Sequence, residues 1–434
     1  MNTYYRPRLA IISLLASAAL ALPGGARAQA SDRDLGKLFD QIDQLRIQQQ
    51  QTEAKIAELQ AALLRARATQ AHAAPEAAPQ PLPIRTTGPA QSAGDRSPGL
   101  QISGDLRLRY EANSGEAGVR NRDRGVLRAR LGARYQVERH LLIGARIVTG
   151  DSDDPNSADV TLSSFADDLA VSLDQVFARG TFGNLVLTGG KMPQPFQRTD
   201  LVWDGDVNPQ GLSASYTVPL QGHARITATA LYFLIDEASG GPDSRMIGGQ
   251  IGLEARLSPN WKATLAAAYY DYSLRSLIGA DAGDIRSNAS AEGAYLSDFN
   301  LMDIIAQVSW SGLGARWPIV LTGDYVRNFG SADEDDGFEA DLAIGKASET
   351  GDLRIGYGYA ETDTDAVLAA FSHDNTAIAT NYQQHSLGLD YVLTDNVTLG
   401  AVHYRYRPKH REVTSLGNPG NWRKRTRLNL VVSF

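Results

Sequence analysis

LQISGDLRLRYE, residues 100–111, is the stretch on which the fold turns. Leu100, Ile102, Leu106, Leu108 and Tyr110 fall on one face of a period-two strand, and Gln101, Ser103, Asp105, Arg107, Arg109 and Glu111 fall on the other. One face suits hydrocarbon and the other suits water. VLRARLGARYQVE, residues 126–138, repeats the division, with Leu127, Ala129, Leu131, Ala133, Tyr135 and Val137 opposite Arg128, Arg130, Arg134, Gln136 and Glu138. A sandwich domain can show such a strand once or twice. Sustained to the C-terminus, with connections alternately short and long, the pattern is that of an all-β, transmembrane antiparallel barrel.

Further strands are expected near 141–150, 168–182, 184–192, 211–219, 224–235, 246–257, 261–272, 300–310, 318–328, 338–346, 352–360, 382–393, 397–407 and 422–434, about 16 in all with the first two. Tight turns fall at 138–140, 258–260 and 394–396, and long connections at 151–167, 273–297 and 361–381. Bacterial barrels put the short turns in the periplasm and the long loops outside, and an even count brings both chain ends to the periplasmic side.

Composition agrees. The 434 residues include 41 glycines and 17 tyrosines, which suit many strands and tight turns, and there is no cysteine. A net charge of −7 argues against a nucleic-acid partner, which calls for a concentrated basic surface.

Upstream of the barrel the chain changes character twice. Arg6 and Arg8 precede an apolar run over 9–22 that is too short to span a bilayer, and Ala26-Arg27-Ala28 offers a cleavage site, so residues 1–28 read as a secretory signal peptide. Within 29–70, Leu35, Leu38, Ile42, Leu45, Gln49, Thr52, Ile56, Leu59 and Leu63 recur at alternating steps of three and four. That is the seam of a periplasmic coiled-coil helix with a polar layer, and it predicts self-association. Residues 71–99 are rich in Pro and Ala and read as a stiff linker to the 100–434 barrel.

The last strand is a separate check. Leu428, Leu430, Val432 and Phe434 alternate with Arg427, Asn429, Val431 and Ser433. A terminal Phe434 on an alternating strand resembles the signal by which the outer-membrane assembly machinery of Gram-negative bacteria recognises its clients.

One stretch breaks the alternation. GKMPQPFQRTDLVWDGDVNPQG, residues 190–211, holds Pro193, Pro195 and Pro209, which cannot donate to a ladder, and sets Lys191 and Arg198 among Asp200, Asp204 and Asp206 around Trp203. It follows the fifth expected strand. It resembles the "putative porin" family of bacterial outer-membrane channels, as do Thr149-Gly150-Asp151 with Asp154-Pro155-Asn156-Ser157, Leu173-Asp174-Gln175 and Asp365-Ala366-Val367-Leu368. Gln194 stands where that family more usually has Asn.

The resemblance implies a sixteen-stranded, general-porin-like barrel in the outer membrane, a homotrimer, and passive diffusion of small hydrophilic solutes or ions past a loop folded into the lumen. It supplies no catalytic residue. Lys191, Arg198, Asp200, Trp203, Asp204 and Asp206 become candidate constriction residues, with Trp203 a wedge against the wall. Inward arginines at 107, 109, 128, 130, 134 and 146, joined by Arg425 and Arg427 of the closing strand, form a candidate basic wall. Loop carboxylates facing that wall would set up a transverse field, and the same arginines could instead pair with Asp105, Glu111 and Glu138.

Other functions find less support in the residues. Asp151, Asp153 and Asp154, and Asp333, Glu334, Asp335 and Asp336, lack the spacing of a calcium loop and read as solvated tips able to meet lipopolysaccharide through divalent ions. No phosphate-binding glycine loop or metal-ligand cluster occurs, so no cofactor or metal is expected. A barrel enzyme would need a triad, yet His385, Ser386 and His403 have no evident acid partner. A structural tether, with the barrel only as an anchor, is the other alternative, and conductance separates it from a channel.

Overall fold

The computed structural model describes residues 99–115, 121–152, 154–162, 168–221, 223–275, 285–291, 294–410 and 420–434. The expected signal peptide, coiled-coil helix and most of the linker lie outside these residues.

Sixteen long strands build the barrel. They are β1 (Leu100–Ser114), β2 (Arg122–Glu138), β3 (Leu141–Thr149), β4 (Val171–Phe182), β5 (Leu185–Lys191), β6 (Gln210–Leu220), β7 (Ala224–Asp236) and β8 (Ser244–Ser258). The second half is β9 (Trp261–Ser273), β10 (Asn300–Trp310), β11 (Ile319–Asn328), β12 (Asp336–Gly345), β13 (Leu353–Thr362), β14 (Tyr382–Thr394), β15 (Val397–Pro408) and β16 (Arg423–Ser433). Each pairs antiparallel with its sequence neighbours, and β1 pairs with β16 from Asp105 opposite Ser433 to Ser114 opposite Lys424, which closes the sheet. A two-residue piece, Val160–Thr161, lies against β2, and Ser290–Ala291 pairs with Ala294–Tyr295.

The alternation of burial follows the alternation of sequence. On β1, Leu106, Leu108 and Tyr110 are exposed while Asp105, Arg107, Arg109 and Glu111 are buried, the reverse of a water-soluble domain. Charge on the inside and apolar side chains outside make sense only if the outside meets lipid. Two aromatic belts mark the limits of that band. Tyr135, Phe182, Tyr216, Trp261 and Trp310 lie toward the short turns, while Tyr110, Tyr232, Tyr269, Phe338 and Tyr357 lie toward the long loops. Along β9 the belts are eight residues apart (Trp261 to Tyr269), about 27 Å of strand. Tilted by about 40°, that covers about 20 Å of membrane, close to the apolar height of such barrels.

Two local devices prepare the interior. β4 carries a bulge: Arg146 is opposite Gln175 and Ile147 opposite Leu173, so Asp174 is the extra residue. A bulge re-aims a side chain, and the Asp174 carboxylate accepts hydrogen bonds from Arg146 at 3.0 Å. Gly190 and Gly211 face each other across β5 and β6 with φ of 114° and 146°. A Cβ on Gly190 would overlap the carbonyl oxygen of Val176, and one on Gly211 that of Tyr232. The chain leaves and re-enters the wall at two positions only glycine can fill.

Candidate functional site

Segment 192–209, between β5 and β6, takes its hydrogen bonds from strands far apart in the wall. The Gln197 backbone and the Gln250 side-chain amide of β8 exchange bonds of 2.8 and 2.7 Å, the Thr199 hydroxyl donates to Asp324 of β11, and Arg130 of β2 donates to Asp206 at 2.9 Å. Its apolar side chains pack inside the barrel. Met192, Phe196, Leu201, Val202, Trp203 and Val207 are all buried. Trp203 has no exposed surface, and its ring centroid lies 5.5 Å from Tyr270 of β9 and 5.7 Å from Phe371, stacked at 15° on the latter.

Phe371 belongs to a second segment, 363–381, between β13 and β14. The expectation there is a long outer connection. Instead Ala366, Val367, Leu368, Ala369, Ala370 and Phe371 are all buried. The segment meets the first where Asp204 N–H donates to Phe371 O at 2.8 Å and the Asn375 amide donates to Asp200 at 3.0 Å. The 150–170 connection joins them: Asn156 donates to Ser372 O at 2.7 Å, and Ser157 to Asp374 at 3.0 Å. The three connections thus interlock through backbone and amide bonds.

The arginines form the opposite side of a cavity of about 520 Å³ lined by Arg107, Arg128, Arg134, Arg198, Asp200 and Asp204, among others. Arg128 reaches Asp105 at 3.1 Å and Asp206 at 3.6 Å, while Arg130 reaches Asp105 at 2.5 Å. Asp159 bridges Arg107 and Arg109. Arg427 donates to Glu111 at 2.8 Å, Arg425 to Asn113 at 2.6 Å, and Arg109 to Asn429 at 2.8 Å. All three bonds cross the seam between β16 and β1. Arg146 is held by Asp174, and Arg134 opens to solvent inside the cavity.

Placement corrects the expected field. The loop carboxylates do not form one acidic face opposite the wall. Asp206 is in contact with Arg128 and Arg130, because the loop lies close enough to the wall for direct pairing, and a buried charge without a partner is costly. Asp204 is buried beside Phe371, and Asp200 lies between Arg198, at 3.4 Å, and Asn375. Of the expected wall partners, Asp105 and Glu111 are used, while Glu138 is exposed near the β2–β3 turn. Lys191 ends β5, half-buried, and is not among the residues lining the cavity. Phe434 is exposed just beyond β16.

Inward carboxylates do occur half-way round the ring from β2. Asp303 on β10, Asp324 on β11, and Glu339 and Asp341 on β12 point inward by strand alternation, and Asp303 accepts from the Tyr270 hydroxyl at 3.2 Å. Sequence reasoning missed these four, along with Asp159 and Asp374. A single charge in an alternating strand carries no mark of what lies across the lumen. The buried segment did leave a signal in its apolar run AVLAAF, residues 366–371, where a solvated loop has little use for one.

The remaining candidates are accounted for by their partners. Asp335 pairs with Arg327 at 3.0 Å, Asp336 accepts from Tyr325 at 2.5 Å and Glu334 from Thr364, so of that cluster only Asp333 is exposed as a solvated tip. Asp151 and Asp154 are exposed, and Asp153 lies outside the described residues. No group of three metal-ligating side chains occurs among the described residues. His385 is on the outer face, bonded to Tyr357 at 2.9 Å, while its neighbour Ser386 faces in. They cannot share a proton. His403, also on the outer face, bonds Thr426 at 2.9 Å.

The comparisons with known proteins agree with this geometry. The sequence profile of the family described as "Putative porin" matches residues 115–279, and no curated protein matches the chain. The high-pH structure of Pseudomonas putida OprB is similar over 77% of this chain and 94% of its own, at 13% identity and a TM-score of 0.52, a likeness of fold. Vibrio cholerae OmpT, in a structure titled as its trimer form, is 10% identical over 77% of this chain and 99% of its own, with a TM-score of 0.45. A Rhodopseudomonas blastica porin mutant is also 10% identical, over 77% and 100%, again at 0.45. The profile lies across β2 to β9 of the closed barrel, and over those residues the chain is similar to the "Putative porin" family.

Proposed function

We propose that the chain is an outer-membrane porin through which small hydrophilic solutes or ions diffuse passively, and that segment 192–209 narrows the channel. The observation that carries this reading is the inside-out charge distribution: a closed sheet with an apolar exterior and arginines and carboxylates within. Such an interior holds water, and no step of the transport calls for a cofactor. The contacts of 192–209 with β2, β8 and β11 support its part in the constriction. Trp203, packed between wall and second segment, supports a wedge role.

The basic wall around the seam gives the channel a means of raising the local concentration of anions, and the effect weakens as salt shortens the Debye length, about 10 Å at 0.1 M. The protein assembles as trimers in this proposal, on the strength of the heptad seam within 29–70 and the resemblance to trimeric porins, with the N-terminal helix in the periplasm and Phe434 read by the assembly machinery. Conductance of the purified full-length chain in a planar bilayer, with the reversal potential in a salt gradient, tests the channel. Discrete, salt-dependent steps are expected. A folded barrel that never conducts would sink the proposal.

A further inference from the structure

The outer face of β13 to β16 changes character row by row toward the long loops. Following the register, one outward row reads Ile355, Leu389, Ala401, Leu428 and Tyr110, all apolar apart from the tyrosine hydroxyl. The next reads Tyr357, Leu387, His403, Thr426 and Ala112. The third reads Tyr359, His385, Arg405, Lys424 and Ser114. Hydrocarbon therefore gives way to two adjacent cations within two rows. An Arg or Lys facing lipid costs about 2–4 kcal/mol at the bilayer midplane and close to nothing at the interface. The third row thus sits at headgroup level, in the leaflet on the loop side.

Arg405 is held in place. The guanidinium carbons of Arg405 and Arg407 lie 4.4 and 4.8 Å from the centroid of the Trp422 ring, and His385 packs on that ring at 5.6 Å. Arg407 is further fixed by two bonds to Gln383, at 2.6 and 3.0 Å. Arg405 and Lys424, directly opposed on β15 and β16, make no ion pair among the described residues, and both are exposed. Glu361, the outward carboxylate nearest Arg405 by register, is occupied by the Tyr359 hydroxyl at 2.6 Å and the Gln383 amide at 3.2 Å, and Asp123, the one nearest Lys424, accepts from the Tyr110 hydroxyl. The pore arginines are paired, whereas these two present their charge outward to the membrane surface.

We propose that Arg405, on the Trp422 platform, and Lys424, opposite it on β16, form a binding site on the outer wall for a phosphate group of the phosphorylated glycolipid in the outer leaflet. Charge complementarity and position choose the occupant. A planar guanidinium with an adjacent ammonium matches a phosphate monoester, and only a membrane lipid presents one at this depth beside an apolar wall. The proposal rests on the outer-membrane assignment but does not depend on conduction.

The test uses the full-length protein in mild detergent. Parent and the double variant R405Q/K424Q are titrated with bisphosphorylated lipid A, with dephosphorylated lipid A and with inorganic phosphate, and bound lipid is counted by native mass spectrometry. At about fivefold per surface cation, removing two should weaken binding of bisphosphorylated lipid A roughly thirtyfold. Dephosphorylated lipid should bind the two proteins alike. Heat-dependent gel migration and conductance, unchanged in the variant, show that barrel and pore are intact. Equal binding of bisphosphorylated lipid A by parent and variant overturns the proposal. So does competition by inorganic phosphate at the lipid's own concentration, which marks a site for free anions. Loss of the oligomer in the variant without loss of lipid marks a contact between copies and overturns it as well. A channel that fails to conduct yet binds lipid as described would remove the porin reading and leave this site standing.

Discussion

Asp204 and Asp206 are two residues apart and sit in opposite surroundings. Burial, with Asp374, Asp200 and Asp206 nearby, pushes the Asp204 carboxyl well above the usual range. Burial also opposes ionisation of Asp206, but Arg128, Arg130 and Arg107 outweigh it and hold that carboxyl well below the usual range. The signs follow by linkage. Folded Asp204 binds its proton more tightly than the unfolded chain does, so its contribution grows as pH falls through the raised value toward the ordinary one near 4. Asp206 stabilises the folded loop above the ordinary carboxylate pKa and is lost only as pH falls through its depressed value. His373, held near 3 by burial with Arg286, Arg427 and Arg425 close by, stays neutral throughout that window. Conductance fluctuations should therefore quieten as pH falls through the raised Asp204 value. Asp204→Asn should lose that part of the response, and parent and variant with identical pH profiles would contradict the assignment. In the proposed channel, selectivity is expected to follow Asp206 instead, because it pairs directly with two wall arginines. Asp206→Asn should move the low-salt reversal potential toward anions more than Asp200→Asn does, with the triple Asn variant at 200, 204 and 206 furthest. Equal potentials in all four proteins would place 192–209 outside the conduction path.

At the scale of elements, the loop is defined by its two glycine ends and its aromatic anchor. Gly211→Ala puts a methyl group against the Tyr232 carbonyl at a positive φ, so the segment must re-enter the wall differently while the ladder, closed elsewhere, survives. Trp203→Ala leaves a cavity among Tyr270, Phe233 and Phe371, a change that costs about 3–5 kcal/mol in a packed core. Both variants should keep their heat-dependent migration and show larger, noisier conductance. A quiet channel in Trp203→Ala would refute the wedge. The strands themselves were legible because lipid and water impose period two on every one of them, as Leu106, Leu108 and Tyr110 against Arg107 and Arg109 illustrate. The 192–209 loop was legible as a break in that period, with three prolines to enforce it. Segment 363–381 was not, since nothing local tells a connection that turns inward from one that turns out. Its destination is fixed by distant partners such as Asn156 and Asp204. Asp174 was legible only as a residue and not as a bulge, because a bulge is a property of two strands in register.

At the scale of the whole molecule, the proposed trimer is argued from the heptad spacing of Leu35 to Leu63 in the sequence. Deleting residues 32–69 should abolish or weaken the trimer in mild detergent while strand-dominated circular dichroism and heat-dependent migration persist. A full-length protein that is already monomeric in those conditions would contradict the trimer, whatever the deletion does. Within one barrel, the seam between β1 and β16 has a different consequence. Ten consecutive residue pairs from Asp105 to Ser114 join positions more than 300 residues apart, and the bonds from Arg109 to Asn429, Arg427 to Glu111 and Arg425 to Asn113 form only there. Bringing ends so distant together costs on the order of 5 kcal/mol of chain entropy, a modest sum. Leaving them apart is far worse in lipid. A sheet of fifteen strands would expose two free edges whose backbone donors and acceptors have no water to turn to, at several kcal/mol per group. A partly zipped intermediate therefore has no stable place in the bilayer, and membrane insertion of this chain must proceed together with the arrival of its last strand.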